Sequence, residues 1–563
     1  MNNQKRWEVL SEKPAKNQKQ IIELLLKNRG IKTEKEKKEF FKPMDPVKIS
    51  IKSLGIKDGE VKKAIFRIKK AVKTQEKVIV YGDYDADGID GTAILWEALH
   101  AVGVNVLPYI PERFSEGYGL NIESIRKLKV QDPDLGLIIT VDHGIVAGKK
   151  IDITDELGID VIISDHHQPH FAKASRGKKG KYKFPEAFAI IHTEKIGGAG
   201  VAWFLAREIL KNIKHSSYEA KQSLELVAIG TIADQLPLVG PNRSVVRYGL
   251  TELNKTRRPG LSELIENAGI KKDEIGTYEV GFIIAPRINS MGRLEHAIDS
   301  LRLLCTKDKV KAARIAGHIS DTNSERQRIV EEVVLHARDK VTDEKVIVLA
   351  HEKYHEGVIG LAAARLVEEF YRPAIVLSKK GDISKASARS ISGFNIIEAI
   401  RELEDLYIEG GGHPMAAGFS IETKKIGEFA KRINKVAKGI LTEEILSRKL
   451  RIDAEVGFDE LSYDLLTKIE SFEPTGLGNP APTFMSKDVE VLDVRTVGQG
   501  ARHLKLRVRQ DEQIFDAIYF GGGEMYSKLT PDTKIDIAYQ LEDNTWNGRK
   551  SLQLKIKDIK ILS

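Results

Sequence analysis

At 563 residues the chain has room for about three to four domains. With 41% hydrophobic and 30% charged residues, and no run near the roughly 18 apolar residues of a spanning helix, it reads as a globular cytoplasmic protein without a membrane role. A single cysteine, Cys305, excludes an intrachain disulfide and a thiolate zinc site, and the opening residues lack the apolar core of an export signal.

Residues 1–75 form a basic N-terminal segment, with 21 Lys and Arg against 9 Asp and Glu, inside a chain whose net charge is only +8. A second basic cluster, Lys173, Arg176, Lys178, Lys179, Lys181 and Lys183, falls in a glycine-containing stretch that reads as a surface loop. Both could attract a phosphate backbone, and a solvated lysine face is an equal alternative.

From 76 to 307 apolar β-type runs at 78–81, 135–141, 160–164 and 187–191 alternate with helical patterns such as 92–100, the grammar of a buried parallel sheet. The first run leads into Gly82-Asp83-Tyr84-Asp85-Ala86-Asp87-Gly88, where extended backbone would turn all three carboxylates to one side. The same string opens a calcium-binding EF-hand loop, but the twelfth position, which needs Glu, is Ile94, and a strand precedes it. An acidic helix cap is the reading for any one of these residues alone.

The second run ends in Asp142-His143-Gly144 and the third in Asp165-His166-His167. Ligands of open parallel sheets bind beyond the carboxyl ends of the strands, so Asp83, Asp85, Asp87, Asp142, Asp165, His166 and His167 should converge in one cleft. Five carboxylates there would repel one another by several kcal/mol unless cations lay between them, and oxygen and imidazole donors suit manganese, magnesium or zinc. A dinuclear metal site is the simplest solution, and the lack of sulfur ligands or an HExxH helix disfavours a zinc protease. Asp234, after the apolar run in 230–234, adds a carboxylate or caps a helix. Arg287 and Arg293 flank a polar turn at 286–293 that suits a phosphate clamp.

Apolar positions at near-helical spacing through 308–342 predict a long connecting helix. Segment 343–445 reads as a second α/β domain, with strands at 345–349 and 374–377, a helix at 358–369 and a glycine turn at 410–413, where Ser387, Arg389 and His413 could cradle an anion. From 446 to 563 five alternating strands predict a small OB-type β-barrel, whose aromatics Phe515, Tyr519, Phe520, Tyr539 and Trp546 divide between base stacking and core. The expected fold class is therefore α/β: a parallel-sheet domain, a long helix, a second α/β domain and a small barrel.

These motifs, in this order, resemble the RecJ family of single-stranded-DNA-specific exonucleases in the DHH phosphoesterase superfamily. The first motif is 83–88, the second Asp142, the third Asp165-His166-His167 and the fourth 230–234. Glu116-Gly117-Tyr118-Gly119-Leu120, Gly197-Gly198-Ala199-Gly200, Asn242-Arg243, the 287–293 stretch and Gly357-Val358-Ile359-Gly360 resemble further family stretches. Gly411-Gly412-His413 with Ala416-Ala417-Gly418 resembles the DHH-associated substrate-binding domain.

The resemblance implies metal ligation by Asp83, Asp85, Asp87, Asp142, His166, His167 and Asp234, with Asp165 supporting the histidines of the catalytic motif. It implies phosphate binding by Arg113, Arg287, Asn289, Arg293, Ser387, Arg389 and His413, with Ser387 and Arg389 on the 5′ phosphate. It further implies two Mn2+ or Mg2+ ions, 5′-to-3′ hydrolysis of single-stranded DNA to nucleoside 5′-monophosphates in repair and recombination, a single-strand-binding protein or helicase as partner, and a cytoplasmic monomer. No further domain is expected after the barrel. His143 stands where the family has asparagine, and Ile191-His192 where it has an asparagine-proline pair, which bears on the surroundings of the ligands rather than on the ligands. A phosphodiesterase for short oligonucleotides or cyclic dinucleotides is the first alternative, opposed by the barrel and the basic N-terminus. A non-catalytic DNA-binding scaffold is the second, opposed by the complete acid and histidine set.

Overall fold

The computed structural model describes residues 5–172, 181–213, 220–546 and 549–562. Most of the basic 173–183 cluster lies outside them. The chain divides into two units, Met44–Leu446 and Met1–Pro43 with Ser447–Ser563. The basic 1–75 segment is thus split: its first 43 residues go with the barrel, and the remainder goes with the parallel sheet. The reason is apolar. Ile21, Leu25, Leu26 and Phe40 are buried in the barrel's core, whereas Val61, Ala64, Ile65 and Ile68 are buried in the core of the larger unit.

In the larger unit, α1 (Asp58–Thr74) leads to β1 (Lys77–Tyr81), α2 (Ala86–Ala101), β2 (Val106–Tyr109), β3 (Leu135–Val141), β4 (Asp160–Asp165) and β5 (Ala189–His192). The five strands are parallel in the order β2-β1-β3-β4-β5. Successive side chains feed two cores: Val78, Val80, Leu137 and Ile139 face one, Ile79, Tyr81, Ile138 and Ile163 the other, which is why the strands are apolar throughout. The strand order reverses at β1, and the crevice between the carboxyl ends of β1 and β3 is the place where such sheets bind ligands. Among the helices packed on this half are α3 (Gly198–Asn212), α4 (Leu224–Ala233) and α5 (Ala285–Leu294). The 286–293 stretch expected as a turn is therefore helical, and its Pro286 follows directly on a π-helical turn at Val280–Ile284.

Helix α6 (Lys309–Arg338) changes core halfway along its length. Ile315, Ala316 and Ile319 pack with the parallel-sheet half, and Val330, Val333, Val334 and Ala337 pack with Ile347, Leu349 and Leu366 beyond it. That second half contains β6 (Ile347–His351), α7 (Ile359–Phe370), β7 (Ala374–Lys380), β8 (Ile383–Arg389), β9 (Tyr407–His413) and β10 (Ala416–Glu422). They form a mixed sheet in the order β9-β10-β8-β7-β6, in which only β6 and β7 run parallel. The expected glycine turn at 410–413 is strand β9. A Cβ at Gly412 would lie 2.3 Å from Ala416 O, so its glycine permits close pairing instead of making a bend.

In the smaller unit, strands Phe484–Val497, His503–Gln510, Gln513–Tyr519, Lys534–Trp546 and Arg549–Ile561 form a sheet closed by pairing of the first with the fourth. Strand Arg6–Val9 pairs in parallel with Lys449–Ile452. Tyr539 is fully buried and bonds Ser486, so it is core, while Phe520 is 55% exposed. The side chain of Trp546 is outside the described residues. No helix among the described residues is long and apolar enough to cross a membrane.

Candidate metal centre

β1 ends at Gly82, where a Cβ would sit 1.9 Å from the Thr92 hydroxyl, so the chain can turn directly beneath α2. Asp85 then caps α2, accepting from the Gly88 N–H at 3.0 Å, and Asp87 already lies in the helix's first turn. The three acids therefore meet through a strand-to-helix bend, not through alternation in extended backbone, because the helix starts six residues earlier than its apolar pattern. The two oxygens of Asp87 accept from the N–H groups of Gly198 at 2.6 Å and Ala199 at 3.0 Å, placing the carboxylate on the N-terminus of α3. Asp142 follows β3 in a left-handed conformation, φ 66°, and Asp234 follows α4 at a helix end rather than a strand end.

The side chains converge as the strand-end argument requires. His166 Nε2 lies 3.0 Å from Asp142 Oδ1, 3.6 Å from Asp234 Oδ2 and 3.8 Å from Asp87 Oδ2. Three sets of ligand-type atoms each fall within 4.8 Å: Asp83, Asp85 and Asp142; Asp142, His166 and His167; Asp87, His166 and Asp234. Asp83 and Asp142 each keep one buried oxygen without a hydrogen-bond donor. Burial and then neighbouring acids push Asp83 and Asp142 well above the ordinary carboxylate range, Asp87 to about 6 and Asp234 to about 8. Buried, unpartnered, mutually repelling oxygens beside imidazole nitrogens are the donor set that divalent cations satisfy, so these residues fit a two-ion site.

Asp165 points away from that cluster. Its Oδ1 accepts from the N–H groups of His166 and His167 and lies 2.8 Å from His167 Nδ1, and its Oδ2 accepts from Ile145 N–H. Against the effect of burial, the hydrogen bond and charge of His167 hold Asp165 below the usual range, and those of Asp165 raise His167 to about 9. His166, buried and beside His167, falls to about 4 and is neutral at physiological pH.

Comparison with known proteins covers nearly the whole chain. The DHH family N-terminal domain matches residues 77–231, the DHHA1 domain residues 343–439 and the RecJ OB domain residues 452–558. The single-stranded-DNA-specific exonuclease RecJ of Dickeya dadantii is 30% identical over 530 residues, covering 87% of this chain and 89% of that protein. The chain belongs to the RecJ family. The family's Bacillus subtilis member is 37% identical over 87% of this chain, which spans 62% of that longer protein. A solved structure of RecJ with Mn2+ from Thermus thermophilus matches with a TM-score of 0.82 and 28% identity, covering 100% of this chain and 80% of the other. A second solved form of that relative holds Mg2+.

The family's expected phosphate contacts separate in space. Arg113 lies 4.9 Å over the Tyr84 ring, and its charge is felt by Asp83, Arg293 and Arg389, so these three arginines gather beside the acids. Burial, then the charges of Arg113, Arg326 and Arg389, lower Arg293 to about 9. Arg389 donates to Ser387 Oγ at 3.1 Å. His413 is exposed at the end of β9. Asn289 uses its Oδ1 to accept from the Ala86 N–H at 2.8 Å, which makes it a support for the first motif instead of a phosphate ligand through that atom.

The structure gives roles to residues that the motifs had only marked. The Gly198 and Ala199 N–H groups act through backbone, flagged only by a glycine run. Tyr118 donates to Asp142 O and lies 3.5 Å from His167 Nε2. His192 Nε2 lies 2.7 Å from His167 O, and His143 Nε2 lies 3.0 Å from Tyr81 O, so both departures from the family pattern sit behind the ligands.

Proposed function

We propose that this chain hydrolyses single-stranded DNA from its 5′ end, releasing nucleoside 5′-monophosphates, as a cytoplasmic monomer acting in DNA repair and recombination. The observation that carries the reading is the sharing of Asp142 between two ligand sets, which yields paired cation positions from one carboxylate. Asp83, Asp85 and Asp142 would hold one ion, and Asp142 with His166 and His167 would begin the second set, which Asp87 and Asp234 join through His166. Mn2+ or Mg2+ bound there would supply Lewis-acid polarisation of a phosphodiester and a more acidic water.

The remaining work belongs to the chain. Asp165 fixes the His167 ring through Nδ1, leaving Nε2 as its free donor atom. The Gly198 and Ala199 N–H groups aim Asp87, and Arg113, Arg293 and Arg389 meet the strand's negative charge. Ser387 and Arg389 would receive the 5′ phosphate, which gives the enzyme its polarity. The domain limits that fit this division of labour are 76–307 for catalysis, 308–342 for connection, 343–445 for substrate binding and 446–563 for nucleic-acid binding. A single-strand-binding protein or helicase is the partner the family resemblance implies.

The test follows a 3′-labelled, 5′-phosphorylated single strand and its duplex with Mn2+ or Mg2+. Shortening of the single strand alone from its 5′ end, absent in Asp165→Ala, is the expected result. Preference for dinucleotides would move the reading to a small-nucleotide phosphodiesterase, and binding without cleavage at any divalent ion would make the chain a scaffold.

A further inference from the structure

Outside the metal centre the larger unit exposes two large rings stacked on each other. Tyr278 is 62% and Phe282 70% exposed, with ring centroids 5.0 Å apart and planes 28° from parallel. Paired open ring faces of this size are rarely left bare without a ligand to cover them. They sit on an unusual support. A helical turn at Thr277–Glu279 passes into a π-helical turn at Val280–Ile284, which continues as α5. Such wide turns recur at functional sites because they reset the direction of the side chains that follow.

Three close approaches fix this run beside the metal centre. A Cβ at Gly281 would lie 3.5 Å from Ile232, two residues before Asp234. Asn289 holds the Ala86 N–H, and a Cβ at Gly292 would lie 2.7 Å from Tyr84 O. The run therefore leads from Tyr84–Ala86 to the ring pair, and the eleven helical steps from Phe282 to Arg293 span about 16 Å, or roughly five stacked nucleotides.

Between the two ends stand Arg287 and, across from it on α6, Arg326, which feels the Arg287 charge. Each keeps a buried Nε without a hydrogen-bond partner, and among the described residues neither has an acid partner. Arg287 otherwise donates to Ile283 O at 2.9 Å and Arg326 to Asn323 Oδ1 at 2.9 Å. Open ring faces on the same helical run as an uncompensated guanidinium are the combination that single-stranded nucleic acid uses, base against ring and phosphate against cation. An apolar protein segment would cover the rings and leave both cations unanswered.

We propose that Tyr278 and Phe282 form a base-stacking platform for the portion of the strand 3′ to the cleaved bond, with Arg287 and Arg326 holding the phosphates between platform and metal centre. This rests on the single-strand reading above and adds a length requirement: strands that reach the platform are held, and those too short are not.

The experiment compares the full chain with the Tyr278→Ala/Phe282→Ala double variant on a 5′-phosphorylated dinucleotide and on a strand of about fifteen nucleotides. It adds fluorescence anisotropy of the longer strand without divalent ions. Both rings are exposed, so folding should survive. The double variant should raise KM for the longer strand about tenfold, with a much smaller effect on the dinucleotide, and weaken anisotropy binding by a similar factor. Phe282→Trp, which keeps a ring face, should bind like wild type. Equal losses at both lengths, or unchanged binding of the long strand, would overturn the platform. Wild-type protein that binds the long strand without cutting it would sink the nuclease reading alone, and the anisotropy difference would still decide the platform.

Discussion

Asp142 is the residue on which the two halves of the ligand cluster meet, and its surroundings make it sensitive to pH. In the cation-free protein Asp87 and Asp234 titrate near 6 and 8, above the ordinary carboxylate value of about 3.9, because burial and neighbouring acids oppose their charge. A raised folded-state pKa means the carboxyls favour the fold most below about pH 4, and that contribution is lost as pH climbs through 6 and 8. His167, raised to about 9 by Asp165 against burial, adds a loss between about pH 6.5 and 9. Divalent cations oppose this trend by compensating the same charges. The Tm increment on adding Mn2+ should therefore grow between pH 5 and pH 8.5 and shrink sharply in Asp142→Asn; equal increments at both pH values would show that these acids are not the binding groups. At this scale the ligand candidates were legible because acids and histidines stand at strand ends. The roles of Asn289, expected on phosphate, and of Gly198 were not, since one works through a neighbour's N–H and the other through its own.

Among the elements, α2 and α3 carry the geometry, and glycine sets how closely they approach the acids. A Cβ at Gly198 would lie 2.4 Å from Asp142 Oδ1, and one at Gly88 within 2.8 Å of the Asp83 backbone. Gly198→Ala should thus keep its helical circular-dichroism signal while lowering kcat by about a hundredfold or more, through displacement of the carboxylates by about an ångström. Retention of near-normal turnover would mean that the α3 N-terminus does not set the position of Asp87 and Asp142. Four of the five strands of the parallel sheet were readable from their apolar runs, and so was α6, whose apolar stripe continues while its core partner changes; β2, a part-exposed edge strand containing Pro108, was not. The errors lie where polarity and glycine hid an element. Residues 410–413 contain three glycines yet pair as β9, and 286–293 begins with proline yet winds as α5.

Over the whole molecule, composition and pattern indicated the order of the parts, but not that residues 6–43 complete the barrel, because amphipathic helices do not name their partners. The barrel also separates its aromatics into roles that alternation left mixed. Tyr539 is core, whereas exposed Phe520 has Lys555 Nζ 5.5 Å from its ring centroid and His503 edge-on at 5.2 Å. Phe520→Ala should weaken single-strand binding about tenfold without changing the slope of affinity against salt, since no charge is removed. A changed slope would assign Phe520 to positioning nearby cations.

The pairing of Arg6–Val9 with Lys449–Ile452 bears on how the chain is made. Residues 6–43 leave the ribosome before the 44–446 unit, yet Phe458, Phe472 and Tyr539, with which Ile21, Leu25 and Phe40 share a core, are translated only after it. At 5–20 residues per second the wait is about 20 to 80 s. The 44–446 unit can fold during that time, while the apolar faces carrying Ile21, Leu25, Leu26 and Phe40 stay without the partner that buries them.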